Sequence, residues 1–209
     1  MLSLDNLQKS YGGKSVLNIP SFFFAPGIHW LQGKNGDGKS TLFRCIAGMA
    51  PFEGSIRLGQ LDSKKDHRQY RLRVNYSEAE PLFPGFLSGR EMLQFVAEAK
   101  QTYDSQLKEL TEMFSLTLFY ENPASTYSSG MAKKISLVMA FLGKPELILL
   151  DEPFITLDAE SVSVLAQLIK KYRRNGTGFI ISSHPDFQKE DFHADFSWYL
   201  DSRNISILR

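Results

Sequence analysis

The sequence predicts an α/β fold, with a mainly parallel sheet, an antiparallel β layer and an inserted helical subdomain. Three observations carry that expectation. Two short apolar runs, LILL at 147 to 150 and GFIISS at 178 to 183, lack polar alternation, as strands buried on both faces of a parallel sheet do. Segments with helical spacing precede and separate them. The first 32 residues instead break into short pieces rich in β-branched and aromatic residues between glycine and proline, the pattern of strands joined by turns.

Taken in order, MLSLDNLQKSY, SVLNIPSFFF and IHWLQ read as strands separated by GGK and APG. From Lys39 the chain turns helical up to Gly48, and FEGSIRLGQ returns to strand through a glycine turn. Residues 64 to 74 are charged and are expected to loop before the strand RVNYS. Between Leu87 and Phe119, Met92, Phe95 and Val96 and then Leu107, Leu110, Met113 and Phe114 recur at helical spacing, marking a subdomain over approximately 80–130. The segment SSGMAKKISLVMAFLGKPE carries Ile135, Val138, Met139 and Leu142 at i, i+3, i+4 and i+7, with Ser128 or Ser129 as N-cap. SVSVLAQLIKKYRR is a helix whose basic last turn complements its dipole, and FSWYLDSRNISILR reads as a closing hairpin. One domain over 1–209 accounts for the whole, without repeats or low-complexity tracts.

Composition narrows the function by exclusion. A chain of 209 residues, 43% hydrophobic, can bury a real core. Its 24 basic and 23 acidic residues leave a net charge of +1, so no nucleic-acid partner is expected from an overall basic field. The single Cys45 forms no internal disulfide and is expected in the core, which suits a reducing cytosol. The longest apolar stretches, SFFF and ELILL, are far shorter than the roughly 20 residues of a spanning helix. The opening residues lack the order of a signal peptide, so a membrane role is expected only through a partner.

The stretch GKNGDGKST at 33 to 41 carries the chemistry. Gly33, four residues, then Gly38, Lys39 and Ser40 is the spacing of a phosphate-binding P-loop. Glycines at this spacing let consecutive backbone N–H groups curl around β- and γ-phosphates with no Cβ in the way. Lys39 adds a cation bridging those phosphates, Ser40 a hydroxyl suited to Mg²⁺, and the following helix aims its positive end at the anion. LILLDEP puts Asp151 and Glu152 just beyond a buried strand, at the edge where ligands of open α/β sheets collect. Asp151 is suited to hold Mg²⁺ through water and Glu152 to polarise an attacking water. IISSH brings His184 to the same edge.

Together these motifs resemble, in the right order and over essentially the whole chain, the nucleotide-binding domain of ABC transporters. The resemblance gives Tyr11 the place of the aromatic that stacks on adenine. Gly33, Lys34, Asn35, Gly36, Asp37, Gly38, Lys39, Ser40 and Thr41 match the Walker A loop. Asp151 matches the Walker B aspartate, with Ser40 the second metal-facing residue, Glu152 the catalytic glutamate, Asp158 the D-loop and His184 the switch histidine. YSSGM is similar to the signature LSGGQ, with Ser128 and Gly130 kept, Ser129 in place of a glycine and Met131 in place of a glutamine. Ala79 stands between Glu78 and Glu80 where the family usually has a glutamine sensing the γ-phosphate, so either Glu substitutes or the link is weakened.

The resemblance implies ATP and Mg²⁺ as ligands. It also implies a head-to-tail pair, a homodimer or a pair with a paralogous ABC ATPase, in which ATP on one P-loop is closed by the signature helix of the other. It further implies separate integral membrane subunits, holding the chain in the cytoplasm as a peripheral protein on the inner face of the cell membrane. Short length and YSSGM are similar to exporter-type ATPases. A soluble ABC ATPase driving assembly, as in iron–sulfur cluster biogenesis, would carry the same motifs. A GTPase would need an NKxD motif, which is absent, and YSSGM and His184 argue against it and against a small-molecule kinase.

Overall fold

The computed structural model describes residues 1–183, 193–201 and 203–207. Among them an antiparallel sheet is built from β1 (Leu2–Tyr11), β2 (Lys14–Phe24), β4 (Glu53–Leu58) and β5 (Leu61–Asp62), in the order β2-β1-β4-β5. A second sheet runs β10-β9-β3-β8-β7-β6, from β3 (Ile28–Gln32), β6 (Val74–Ser77), β7 (Leu147–Asp151), β8 (Gly178–Ser183), β9 (Phe196–Asp201) and β10 (Asn204–Ile207). Its pairs are parallel except for the closing hairpin of β9 and β10. The expected mixture of a parallel sheet and an antiparallel layer is therefore observed.

Both faces of the parallel sheet are covered, which is why β7 and β8 are buried at every position. Successive strand residues point to opposite faces. Leu147 and Leu149 thus join the core shared with the antiparallel layer and α1 (Lys39–Ile46), while Ile148 and Leu150 join the core under the other helices. Cys45 lies in the first of these cores, where burial pushes its thiol up to about 11 and leaves it a packing residue.

Residues 67 to 73 form the helix α2 (His67–Arg73), where the sequence suggested loop. HRQYRLR is too polar to show an apolar face, and only Tyr70 is buried. That one ring decides the outcome, because its hydroxyl donates to Ile46 O at 2.8 Å and so ties the turn to the end of α1. Tertiary anchoring here overrides a weak local pattern.

The insertion between β6 and the next long helix is helical, as expected. It holds α3 (Gly89–Ala99), α4 (Asp104–Met113) and two short 3-10 turns. A capping box starts α3: Ser88 Oγ accepts from Glu91 N, and the Glu91 carboxylate accepts from Ser88 N. Its buried face is Met92, Leu93 and Ala97, whereas Phe95, placed on the apolar face by spacing, is exposed. Helix α5 (Ser129–Phe141) is buried on two faces, and α6 (Ala159–Arg174) covers the sheet between β7 and β8 in sequence.

Candidate active site

Parallel register collects the motif residues at one edge. Gln32 pairs with Ser183, Asp151 with Ser182 and Ser77 with Leu150, so the segments leaving β3, β7, β8 and β6 emerge side by side. The glycine loop spans β3 and α1. Gly36 and Gly38 adopt φ +88° and +104°, a region that side-chain-bearing residues avoid, and a Cβ on Gly38 would press on Val16 at 3.1 Å. Gly38 is the N-cap of α1 and, as a glycine, has no side chain to accept from the N–H groups of the first turn. Lys34 N–H donates to Asp37 Oδ2 at 2.6 Å, which closes the turn. Lys34, Asn35, Gly36 and Ser40 are exposed, with Thr41 half-buried.

Lys39 is 6% exposed, and its ammonium donates to Gly33 O at 2.7 Å and Lys34 O at 3.2 Å, inside the loop's own curve. An ammonium has three donors, so one remains available to a ligand. Tyr11, at the end of β1, is half-exposed with the Lys9 ammonium 4.4 Å from its ring centre. Its hairpin partner β2 supplies Val16 and Leu17, the residues against Gly38, which brings the aromatic to the glycine loop's side of the molecule.

Asp151 is 1% exposed. One of its oxygens accepts from Ser182 Oγ and the other from Tyr76 at 3.3 Å. A carboxylate has about four lone-pair sites, so acceptor capacity is left over. The same Ser182 Oγ accepts from Glu152 N–H at 3.0 Å. Glu152 adopts φ +44°, an uncommon region for a residue with a side chain, costing of order 1 kcal/mol and held here by neighbouring bonds. Burial beside Asp151 raises the Tyr76 hydroxyl far above its ordinary value, so it serves as a donor.

Ser128 is the N-cap of α5, its Oγ accepting from Met131 N at 3.2 Å. Ser128 and Ser129 are exposed. Gly130 sits under the loop after β7, where a Cβ would come within 2.8 Å of Thr156 O. Asp158 caps α6 through Ser161 N at 2.8 Å and pairs with Lys134 Nζ at 2.8 Å; Lys134, then Ser161, hold its carboxyl well below the usual range. Glu152 and the α5 N-terminus share the wall of a cavity of about 460 Å³ with Ala79, Glu80 and Phe83. His184 lies outside the described residues.

Sequence reasoning missed three polar residues in this cluster. Ser182 and Tyr76 lie in the strands GFIISS and VNYS, where polar side chains kept within buried strands are themselves the clue. Lys133 is 1% exposed on α5, and burial lowers its pKa to about 8 against the pull of Asp151, Glu152, Glu78 and Glu80. Its clue is that α5 is apolar on two faces, through Ile135, Val138, Leu137 and Phe141, so a charge among them points inward.

A family model described as ABC transporter matches residues 18–155, more than half of the chain. The chain belongs to the ABC transporter family of ATP-binding proteins. Membership makes it an ATPase of the ATP-binding-cassette type, and the observed α/β architecture is the one its motifs implied. This ABC ATPase is 32% identical over 190 residues to the ABC-type transporter ATP-binding protein EcsA of Bacillus subtilis, covering 88% of this chain and 77% of that one. It is 30% identical over 201 residues to the cytochrome c biogenesis ATP-binding export protein CcmA of Legionella pneumophila, covering 95% and 99%. A solved ATP-binding subunit of an ABC transporter superposes with a TM-score of 0.87 at 25% identity, over 100% of this chain and 90% of that chain.

Proposed function

We propose that the chain is the ATP-hydrolysing subunit of an exporter, closing on ATP as a head-to-tail pair and driving separate integral membrane subunits at the inner face of the membrane. The observation that carries this reading is the meeting at one sheet edge of an uncapped glycine loop, a buried carboxylate with spare acceptors and Glu152. The signature serines stay exposed, as a surface offered to another copy requires. One relative is named as an export protein, which supports the direction. Among the described residues no helix is long and apolar enough to cross a membrane, so the spanning part is assigned to partners.

The residues fit magnesium-bound ATP. Backbone N–H groups of 33 to 41 and the Lys39 ammonium bind the phosphates, and Tyr11 lies against the base. Ser40 Oγ and Asp151 would hold Mg²⁺, which would neutralise charge on the phosphate oxygens. Glu152 accepts the proton of the attacking water through its carboxylate, while Ser182 and Tyr76 fix the neighbouring aspartate. Ser128, Ser129 and Gly130 close the site of the opposite copy, Asp158 stiffens the junction between copies, and His184 contacts the γ-phosphate. The helical subdomain receives the membrane subunit: a groove of about 1030 Å³ lined by Met49, Arg71, Val96 and Lys100 runs beside α3, and Phe86 and Phe95 are exposed by 82% and 73%. Phe83 instead packs inward.

Glu152→Gln tests the reading. With the base lost and binding intact, turnover should fall by roughly 100-fold or more, and the variant should elute at dimer mass in ATP and monomer mass without it. Turnover at the parent rate, or a monomer in saturating ATP, rejects it.

A further inference from the structure

The Lys133 ammonium donates to three main-chain carbonyls, Glu78 O at 2.7 Å, Ala79 O at 2.9 Å and Asp151 O at 3.0 Å. Its three N–H donors are thereby used up. The acceptors belong to two segments far apart in sequence, the loop leaving β6 and the end of β7. Three carbonyl dipoles aimed at one buried point repel each other unless a cation sits between them, so the side chain holds the two segments together.

One of those bonds reaches the chemistry directly. The carbonyl of Asp151 and the N–H of Glu152 belong to the same peptide unit. Lys133 holds its oxygen at 3.0 Å, and Ser182 Oγ accepts from its N–H at 3.0 Å. A planar peptide gripped at both ends cannot rotate. Its orientation sets where the Glu152 side chain leaves the backbone, at a φ of +44° that has no steric preference of its own to maintain it. The other two bonds hold the loop that continues through Leu82, 92% exposed, to the exposed Phe86. The side chain of Ala79 has no polar atom with which to reach the site, so the link runs through main chain.

We propose that Lys133 is the positioning residue that ties the orientation of Glu152 to the placement of the loop at 78 to 83, so that a load on this loop is felt at the carboxylate. The proposal rests on the reading of Glu152 as the group facing the attacking water. It assigns Lys133 no contact with the nucleotide and therefore no part in affinity.

The test uses the full chain with Lys133→Met, which keeps length and removes the donors, and Lys133→Gln, whose amide restores two. Binding of a fluorescent ATP analogue and steady-state turnover are measured together with hydrogen exchange of the amides at 78 to 83 and at Glu152. Expected for Lys133→Met is a kcat lowered roughly 10- to 100-fold, the penalty of a misplaced catalytic group, with nucleotide Kd within about threefold of the parent. Lys133→Gln should recover part of kcat, and exchange should rise at both segments while α4 stays protected. An unchanged kcat, or loss of binding and turnover together with a rise in exchange throughout the chain, overturns the proposal. Should Lys133→Met fail to fold, the same division between kcat and Kd in Lys133→Gln decides. Glu152→Gln run alongside separates the two claims: if it keeps full turnover the base assignment fails, while joint exchange at the two segments still reports the link.

Discussion

Two buried polar side chains sit at opposite edges of one sheet, and they differ in what they leave unused. His29, near the start of β3, is fully buried. Trp198 Nε1 can only donate, and does so to His29 Nδ1 at 2.9 Å, which fixes the proton on Nε2, where it is donated to Ala25 O at 2.7 Å. Phe196 stacks on the ring at 4.7 Å and Phe24 meets it edge-on at 5.1 Å. Nothing on that imidazole remains for a ligand. Asp151, at the far end of β7, is just as buried but among the described residues accepts only one bond at each oxygen, beside a loop whose helix starts at a glycine with no side chain to cap it. Burial alone does not separate structural from functional polar groups; spare hydrogen-bonding capacity does.

The largest effect expected from that difference is at Lys39. It is buried with one donor to spare, and its partners are loop carbonyls that a phosphate would displace. Lys39→Ala should lower ATP turnover by roughly 100-fold or more, as removal of a donor aimed at developing charge does, with the far-UV circular dichroism unchanged. Turnover close to that of the parent would move Lys39 into the closed class with His29 and break the comparison.

The open edge was legible in sequence because its requirements are local. A glycine at φ +104° and a carboxylate one residue past an apolar run are written in consecutive letters, as are the strands that carry them. What stayed hidden depends on pairs far apart. Tyr70 turns a polar segment into α2 by bonding Ile46, 24 residues away, and Lys133 meets carbonyls 54 and 55 residues away. Phe95 obeys helical spacing but faces out, because the buried face of α3 is chosen by its neighbours and not by periodicity. His29, Phe196 and Trp198 form their closed cluster across a separation of 167 residues or more, beyond any spacing rule.

A smaller effect should sharpen the boundary between the two classes. Ser182 Oγ donates to Asp151 and accepts from Glu152 N–H, so all its bonds are internal although it lies at the open edge. Ser182→Ala should lower kcat by about tenfold through loosened carboxylates and leave KM nearly unchanged, since no bond to nucleotide is lost. Folding stability should fall by about 1 to 3 kcal/mol for the part-buried Glu152 N–H left unpaired. A rise in KM with kcat constant would place Ser182 in direct contact with the nucleotide.

The smallest effect belongs to the closed end and involves stability alone. Burial lowers the pKa of His29 from its ordinary 6.5, outweighing the Ala25 bond and the Asp195 charge that favour protonation. Below pH 6.5 the unfolded chain protonates this imidazole while the folded one resists, so the unfolded state binds more protons and stability falls as pH falls. Above pH 6.5 the ring is neutral in both states, and its contribution is flat. One proton limits the slope to about 1.4 kcal/mol per pH unit. A charged ring would also place a second N–H against the Trp198 N–H, turning a hydrogen bond into a clash of donors. Urea midpoints of the parent should therefore drop between pH 6.5 and pH 5 more steeply than those of His29→Phe, which starts less stable because Trp198 loses its acceptor but has no imidazole to titrate. Carboxylates elsewhere contribute equally to both chains and cancel in the difference. Parallel slopes would mean that His29 takes up its proton in place, and that the closed end of the sheet is open after all.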